Sequence, residues 1–405
     1  MDRDAKSTFA ILSHILPPSP SGQATVLYRL LKNINSDEFC LVSCRDYNQS
    51  SLENDATRKL NAEYYFLKQV FQLPKLNRFR LKRLSLFVNT YLTIYLRAMQ
   101  IRRVIKDVMC NTLIACTGDI CDLPAAYLAS KWSGIPFVTY MFDDYAFQWT
   151  GAYRQISKRL EPNILKKASA VIVPNEYMQK EYSKRYGVES TVIRNPCVIP
   201  DLKKLNSSDS PFDPGKTNIV YAGAIYHAHY DAFRNLIAAI GMMKHDTVKL
   251  HLYTAQDELK FGKNGISGDM VVFHPHVNEA AVMTVMRQAD LLFLPLAFNS
   301  PITEVIKTSA PGKIGDYLSV GRPVLVHAPQ DSFVSWFFRK NECGAVVDKN
   351  NPADLSREIT KLIADSNMCL RLGDRARKVA ENEFSDDKIA TSFYRLINNI
   401  MRKQF

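Results

Sequence analysis

Twice along this chain, short apolar runs rich in β-branched residues alternate with segments whose apolar residues recur at helical spacing. A polar stretch separates the two series. In the first series residues 8–16 (TFAILSHIL) read as a buried strand, residues 17–23 (PPSPSGQ) as a loop, residues 24–34 as a helix and residues 39–44 as the next strand. That order is a βαβ unit. Residues 112–118, 136–142, 169–175 and 191–197 are further strands. One helix ends at Gly134, and another precedes residue 169. Short continuous apolar strands separated by helices belong to parallel sheets buried on both faces.

Residues 199–217 interrupt the pattern with Pro, Ser, Asp and Gly and few apolar side chains, as an interdomain connection does. The alternation then restarts. Strands are predicted at 218–225, 248–254, 270–277, 290–297, 323–329 and 344–348, and helices at 231–243, 278–289, 312–320 and 351–365. The fold class is α/β, with two tandem Rossmann-like domains. The expected boundaries are an N-terminal domain at 1–198, a linker at 199–217 and a C-terminal domain at 218–383. A last helical segment, 384–405, is expected to pack back towards the first domain. A chain of 405 residues with 46% hydrophobic residues has length and apolar content for two cores.

Charge is uneven. Residues 1–200 hold 27 Lys and Arg against 17 Asp and Glu, and residues 201–405 the remaining 25 against 23, so most of the net +12 lies in the first half. An anionic partner would meet that half. Within it, residues 75–106 carry nine Lys and Arg and no acid, with apolar and aromatic residues between. Such a basic amphipathic helix suits an anionic membrane surface; an ordinary helix with a solvated basic face is the alternative. No recognised nucleic-acid module accompanies it, so nucleic acid is not expected as a partner. The eight cysteines show no Cys-x-x-Cys or zinc spacing and fit buried thiols of a reducing compartment. No signal-peptide pattern opens the sequence, and no apolar run reaches the roughly 18–20 residues of a membrane span. The expected place is the cytoplasm, with peripheral contact at the inner face of the membrane.

A dinucleotide-binding chain would show G-x-G-x-x-G after its first strand. Here that loop has one glycine, Gly22, and the loop after residue 222 (GAIYHAHY) lacks the pattern too. The most informative stretch is 308–325, TSAPGKIGDYLSVGRPVL. Pro311 and Gly312 form a turn that opens a helix, Lys313 stands at its start, and Gly321 and Pro323 end it before a buried strand.

In that stretch, and in the order of Gly22, RNPCVIP, VYAGAI and ADLLFLPL around it, the chain resembles the GT-B glycosyltransferases. Among them it looks closest to the large retaining family 4, which uses nucleotide-activated sugars. The resemblance implies two Rossmann-like domains with a cleft between them, acceptor bound by the first and donor by the second. It implies a carboxylate five residues before the Gly-x-Pro, here Asp316, accepting from the ribose hydroxyls. Lys313 would meet the diphosphate. Thr308 stands where the family places a first Glu, with Ser309 beside it and Glu304 four residues earlier. Gly223 is followed by Ala224 rather than the family's Arg, with His227 and His229 further on. His276 would lie near the nucleobase. Asp143 and Asp144, after a strand of the first domain, would orient an acceptor hydroxyl or take its proton; one of them capping the next segment is the alternative.

The implied reaction moves a hexose from a nucleoside diphosphate donor to a hydroxyl of a lipid-linked or cell-envelope glycan, as in polysaccharide biosynthesis, with retention. Asp143, Asp144 and Lys313 are the catalytic candidates. Gly22, Gly223, His227, His276, Thr308, Ser309, Lys313 and Asp316 are the donor-binding ones. No metal or further cofactor is expected. A GT-B sugar-nucleotide epimerase and a non-catalytic scaffold of the same fold stay open as alternatives.

Overall fold

The computed structural model describes residues 8–47, 58–70, 72, 79–205, 210–243, 247–275 and 277–402. The chain divides into two units. One comprises Met1–Pro196 with Asp387–Phe405, the other Cys197–Asp386.

The first unit holds a seven-stranded parallel sheet of β1 (Phe9–Leu12), β2 (Phe39–Ser43), β3 (Glu63–Phe66), β4 (Thr112–Cys116), β5 (Phe137–Tyr140), β6 (Ala170–Val173) and β7 (Thr191–Val192). The order is β3-β2-β1-β4-β5-β6-β7. The second holds a six-stranded parallel sheet of β8 (Thr217–Ala222), β9 (Val248–Tyr253), β10 (Val271–His274), β11 (Leu291–Pro295), β12 (Val324–His327) and β13 (Ala345–Val347). Its order is β10-β9-β8-β11-β12-β13. Both are doubly wound, so the strand order reverses between β1 and β4 and between β8 and β11. Ligands of such sheets bind outside the strands' carboxyl ends at that switch point.

Both faces of each sheet are covered, which is why the strands read as unbroken apolar runs. In β1, Ala10 and Leu12 join a cluster with Ile94, Ala98 and Ile101 of the Phe79–Val108 helix. Phe9 and Ile11 face the other way and join Val26 and Leu30 of the Gly22–Leu31 helix. Phe393, Ile397 and Met401 of the Asp386–Arg402 helix complete that second cluster. Each fully buried side chain of this kind contributes about 1.5–3 kcal/mol. In the second unit Cys197 and Ser385 form a parallel bridge, with Cys197 N donating to Phe384 O at 2.7 Å and Asp386 N donating to Cys197 O at 3.0 Å.

The structure departs from the sequence expectation in several elements. Of residues 191–197 only Thr191–Val192 pair as strand, because Pro196 cannot donate to a ladder. β3 and the Glu176–Tyr186 and Phe333–Asn341 helices lack a clear pattern. The Glu176–Tyr186 helix buries only Met178 and Tyr182, and Phe333–Asn341 buries four of its aromatic and β-branched residues. Side-chain caps from Asn175 and Ser332 start these two helices. Between the two series, Leu202–Leu205 form a 3-10 turn. All eight cysteines are free thiols, six of them buried.

Candidate functional site

The second unit gathers its chemistry beyond the carboxyl end of β8. Gly223 follows that strand at φ +129, a conformation that L side chains rarely adopt. The Lys313–Ser319 helix comes back over this point. Lys313 Nζ lies 3.7 Å from the centroid of the Tyr221 ring. It is 3.0 Å from where a Cβ on Gly223 would stand. A side chain at 223 would therefore displace the ammonium as well as strain the backbone. Tyr317, one turn along the helix, fixes the approach, because its hydroxyl accepts from Ala222 N at 3.0 Å.

Lys313 is half-buried and, among the described residues, makes no ion pair and no hydrogen bond. Burial pulls its ammonium down to about 7, against a smaller upward pull from Asp316. Asp316 is half-buried on the next turn. Next to Lys313 lies His229, whose imidazole is buried with Nδ1 making no hydrogen bond among the described residues. Burial first, then the Lys313 charge, keeps this imidazole well below its ordinary range, hence neutral. The Tyr226 and His229 ring centroids lie 4.4 Å apart.

The loop after β8 is held in place. Gln256 accepts from Ile225 N at 2.6 Å and donates to Ile225 O at 3.1 Å. Asp231 accepts from Phe298 N at 3.0 Å and Asn299 N at 2.7 Å, and Ala297 N donates to Ala228 O at 2.7 Å. The loops after β8 and β11 are thereby joined at the switch point.

The other donor candidates lie in different settings. His227 is exposed on the same loop, beside Tyr226. Thr308 ends the Thr303–Thr308 helix, buried, with Oγ1 donating to Glu304 O at 3.1 Å. Glu304 is therefore one helical turn before Thr308, and Ser309 is half-buried just after it. His276 lies outside the described residues. Its neighbour His274 stacks on Tyr253 at 4.2 Å and shares a 2.9 Å hydrogen bond with His251.

In the first unit, Gly22 opens the Gly22–Leu31 helix with free space where a side chain would project. Beside it Gln23 donates to Ser13 Oγ and Thr117 O, both at 2.9 Å, across the β1–β4 switch. The two neighbouring aspartates separate sharply. Asp143 is exposed, its backbone N donating to Thr117 Oγ1 at 3.3 Å. Crowding by protein and the like charge of Asp144 push its carboxyl up to about 6, and solvent access moderates both effects. Asp144 is fully buried and paired with Arg185, which also lies 3.7 Å from buried Glu161. Asp144 therefore holds structure, and Asp143 alone of the two presents a carboxylate outward.

Sequence reasoning passed over a second cluster. Arg97 of the long helix pairs with Asp119 at 2.5 Å and Asp122 at 2.6 Å, just past β4. Burial and the Asp119 charge raise the Asp122 carboxyl to about 7 even against Arg97. The acids of TGDICD, immediately after a predicted strand, were the available signal. Among the described residues no three His, Cys, Asp or Glu gather as a metal site would need.

Two family models match the chain. That of Glycosyltransferase Family 4 covers residues 20–198, and that of Glycosyl transferases group 1 covers residues 216–365. No curated protein matches. Among solved structures, a glycosyltransferase from Rickettsia africae is similar at TM-score 0.66 and 13% identity, over 98% of this chain and 99% of that one. The sucrose-phosphate synthase of Thermosynechococcus elongatus is similar at 0.68 and 15%, over 98% and 100%. Anabaena HepE, solved in complex with UDP-glucose, is similar at 0.68 and 14%, over 97% and 99%. At these identities the structures speak for the fold, and the two family models, one on each sheet-bearing region, speak for the activity. The chain belongs to the GT-B-fold glycosyltransferases, with the architecture of family 4, and is an enzyme that takes its sugar from a nucleotide-sugar donor.

Proposed function

We propose that the protein transfers a hexose, with retention, from a uridine diphosphate sugar such as UDP-glucose to a hydroxyl of a lipid-linked glycan at an anionic membrane surface. The observation that carries the donor half is the Lys313 ammonium, which among the described residues makes no ion pair and lies 3.0 Å from where a Cβ on residue 223 would stand. The donor diphosphate supplies its anion, and Asp316 takes the ribose hydroxyls. As the bond from the sugar's anomeric carbon to the β-phosphate oxygen breaks, its electron pair passes to that oxygen. Lys313 stabilises the charge where it builds. The acceptor oxygen bonds to the anomeric carbon, and its proton leaves to a phosphate oxygen or to Asp143, which is largely ionised at neutral pH. His229, held neutral, spares the site a second positive charge.

Lys313 gives this reading a pH signature. In the empty enzyme its pKa is lowered to about 7. A bound diphosphate favours the ammonium, so above pH 7 binding takes up a proton and weakens as pH rises. The Kd of UDP is expected to increase several-fold between pH 7.5 and 9 by calorimetry, and the Lys313→Met variant to show a flat profile. A flat wild-type profile would contradict the role.

The acceptor half rests on the Phe79–Val108 helix. It is apolar on two faces. Ile94, Ala98, Ile101 and Ile105 enter the core, while Leu84, Val88, Tyr91, Tyr95 and Met99 stay exposed at spacings of three and four. The exposed stripe runs on into Arg102 and Lys106. A third face, with Ser85, Asn89, Thr93 and Arg97, lines a cavity of about 380 Å³ that reaches Asp119 at the carboxyl edge of the sheet. In this reading the stripe rests on lipid and the polar face receives a sugar headgroup. No helix among the described residues is long and apolar enough to cross a membrane. Residues 75–78 lie outside the described residues.

Purified protein should bind vesicles containing anionic lipid and release as salt rises, because exposed charge attraction is screened. Val88→Glu with Tyr95→Glu should abolish binding while leaving the melting temperature within a few degrees. Equal binding to neutral vesicles, or none to either kind, would sink the membrane half. For the reaction itself, UDP release from UDP-glucose should require an added lipid-linked acceptor, and the product should keep the donor's anomeric configuration. Interconversion of the donor sugar without acceptor would favour an epimerase, and binding without turnover a scaffold.

A further inference from the structure

A second cavity, of about 440 Å³, opens in the second unit at the opposite edge of its sheet, where β8, β11 and β12 begin. That volume is within the range of small-molecule pockets. One wall is apolar, from Leu362, Ile363 and Leu370, with Ile363 and Leu370 exposed. The other carries three guanidiniums, Arg287, Arg322 and Arg377, with the carboxylates of Asp290 and Asp374 beside them, and Arg377 is paired with Glu381 at 2.5 Å.

These arginines hold the far end of the helix that starts with Lys313. Arg287 Nη1 donates to Val320 O at 3.1 Å and Gly321 O at 3.4 Å, and Arg377 Nη1 donates to Ser319 O at 2.6 Å. Arg322 is less committed. Its Nε donates to Ala289 O, and among the described residues its Nη groups make no hydrogen bond. Asp290 pairs with it loosely, its Oδ1 3.6 Å from Arg322 Nη2, while its other oxygen accepts from Asn218 N at 2.8 Å. Burial lowers the Arg322 guanidinium from its ordinary range and Arg287 adds to the effect, while Asp290 opposes it. A guanidinium does not deprotonate at such a site, and with one loose ion pair its Nη groups keep donors for a further anion.

We infer that this cavity binds a small organic phosphate, its phosphate on the arginines and its body on the Leu362–Leu370 wall, and that occupancy changes donor affinity through the Lys313–Ser319 helix. Guanidiniums match phosphate geometry with paired N–H donors. Because Arg287 and Arg377 bind the last carbonyls of the helix whose first turn carries Lys313 and Asp316, an anion that draws on them acts on both ends of one short rigid element. Coupling between two ligands is reciprocal in binding.

Cys369 supplies a local probe. Its half-buried thiol lines this cavity, whereas the other half-buried thiol, Cys44, lies in the first unit. Phenyl phosphate is expected to slow iodoacetamide labelling of Cys369 and not of Cys44. Inorganic phosphate should do so about tenfold less effectively, since it leaves the apolar wall uncovered. Arg322→Glu should abolish the protection. Leu370→Asp, at an exposed rim position where folding is not at stake, should weaken it at least tenfold, and Lys313→Ala should leave it intact. In the wild type phenyl phosphate should shift the donor KM by about fivefold or more, and in Arg322→Glu not at all. Labelling of Cys369 unaffected by phenyl phosphate would overturn the site. So would protection that survives Arg322→Glu and Leu370→Asp but disappears in Lys313→Ala, which would place the phosphate in the donor site. Protection without any KM shift would overturn the coupling. Cys369 protection does not depend on Lys313 binding the donor, so the two assignments fail separately.

Discussion

Lys313→Ala is expected to lower kcat for sugar transfer about 10²–10³-fold, equivalent to roughly 2.7–4 kcal/mol of lost transition-state stabilisation. The size follows from position. The ammonium is enclosed between the Tyr221 ring and the bare backbone of Gly223 and has no competing ion pair among the described residues. Negative charge that builds on the leaving diphosphate meets it with little water between. Folding should survive the change, because the wild-type site already bears the cost of an enclosed, uncompensated ammonium. Asp316→Ala separates the two roles. Its contacts would be to the ribose, remote from the breaking bond, so it should raise the donor KM more than it lowers kcat. Steady-state kinetics of both variants, including slow donor hydrolysis without acceptor, checks this. Near-normal kinetics in both would remove the helix from the site.

The largest effect on stability is expected from Arg185→Ala. Arg185 bridges Asp144 and Glu161, both buried, with the Phe147 ring 4.9 Å from its guanidinium. Glu161 also accepts from Tyr186 Oη at 2.5 Å and Ala146 N at 3.1 Å. Removing the guanidinium leaves two buried carboxyls without their cation, which typically costs about 3–5 kcal/mol. The sign of the pH dependence follows. Burial already raises both carboxyls, Glu161 to about 7, so their folded pKa values exceed the unfolded ones. Such groups are least costly below the unfolded values, and stability is lost as pH rises towards the folded values. In the variant the shift widens. Urea unfolding should therefore show Arg185→Ala nearest to wild type around pH 5 and furthest from it above pH 7. An equal loss at both pH values would mean that packing, not charge, carries the effect.

Adjacent Asp143 and Asp144 show where sequence reading stops. Nothing in MFDDYAF says that one carboxylate faces solvent and the other enters the core, because the deciding residue, Arg185, lies 41 positions on. The fold class was legible for the opposite reason. Alternation of strand and helix is written within a few residues, and a sheet buried on both faces demands it along its whole length. Gly223 and Lys313 each stand out in the sequence, the one by its place after a strand and the other by the Pro-Gly turn before it. That the lysine comes within 3.0 Å of where a Cβ at 223 would stand is a contact between residues 90 apart. The Phe79–Val108 helix misleads more subtly. Its basic residues are evident, but two apolar faces on one helix blur the periodicity, and only the packed core shows that one of them is left uncovered. Asp119 and Asp122 are visible in TGDICD after a strand, but their cation, Arg97, lies 22 positions before the first of them.

The most direct test of the donor assignment is calorimetric titration of UDP into the wild type and into Lys313→Ala and Asp316→Ala at pH 7. Binding by the wild type at one site per chain, weakened at least tenfold in each variant with folding intact, is the predicted result. UDP bound equally well by all three proteins, or by none, would contradict it.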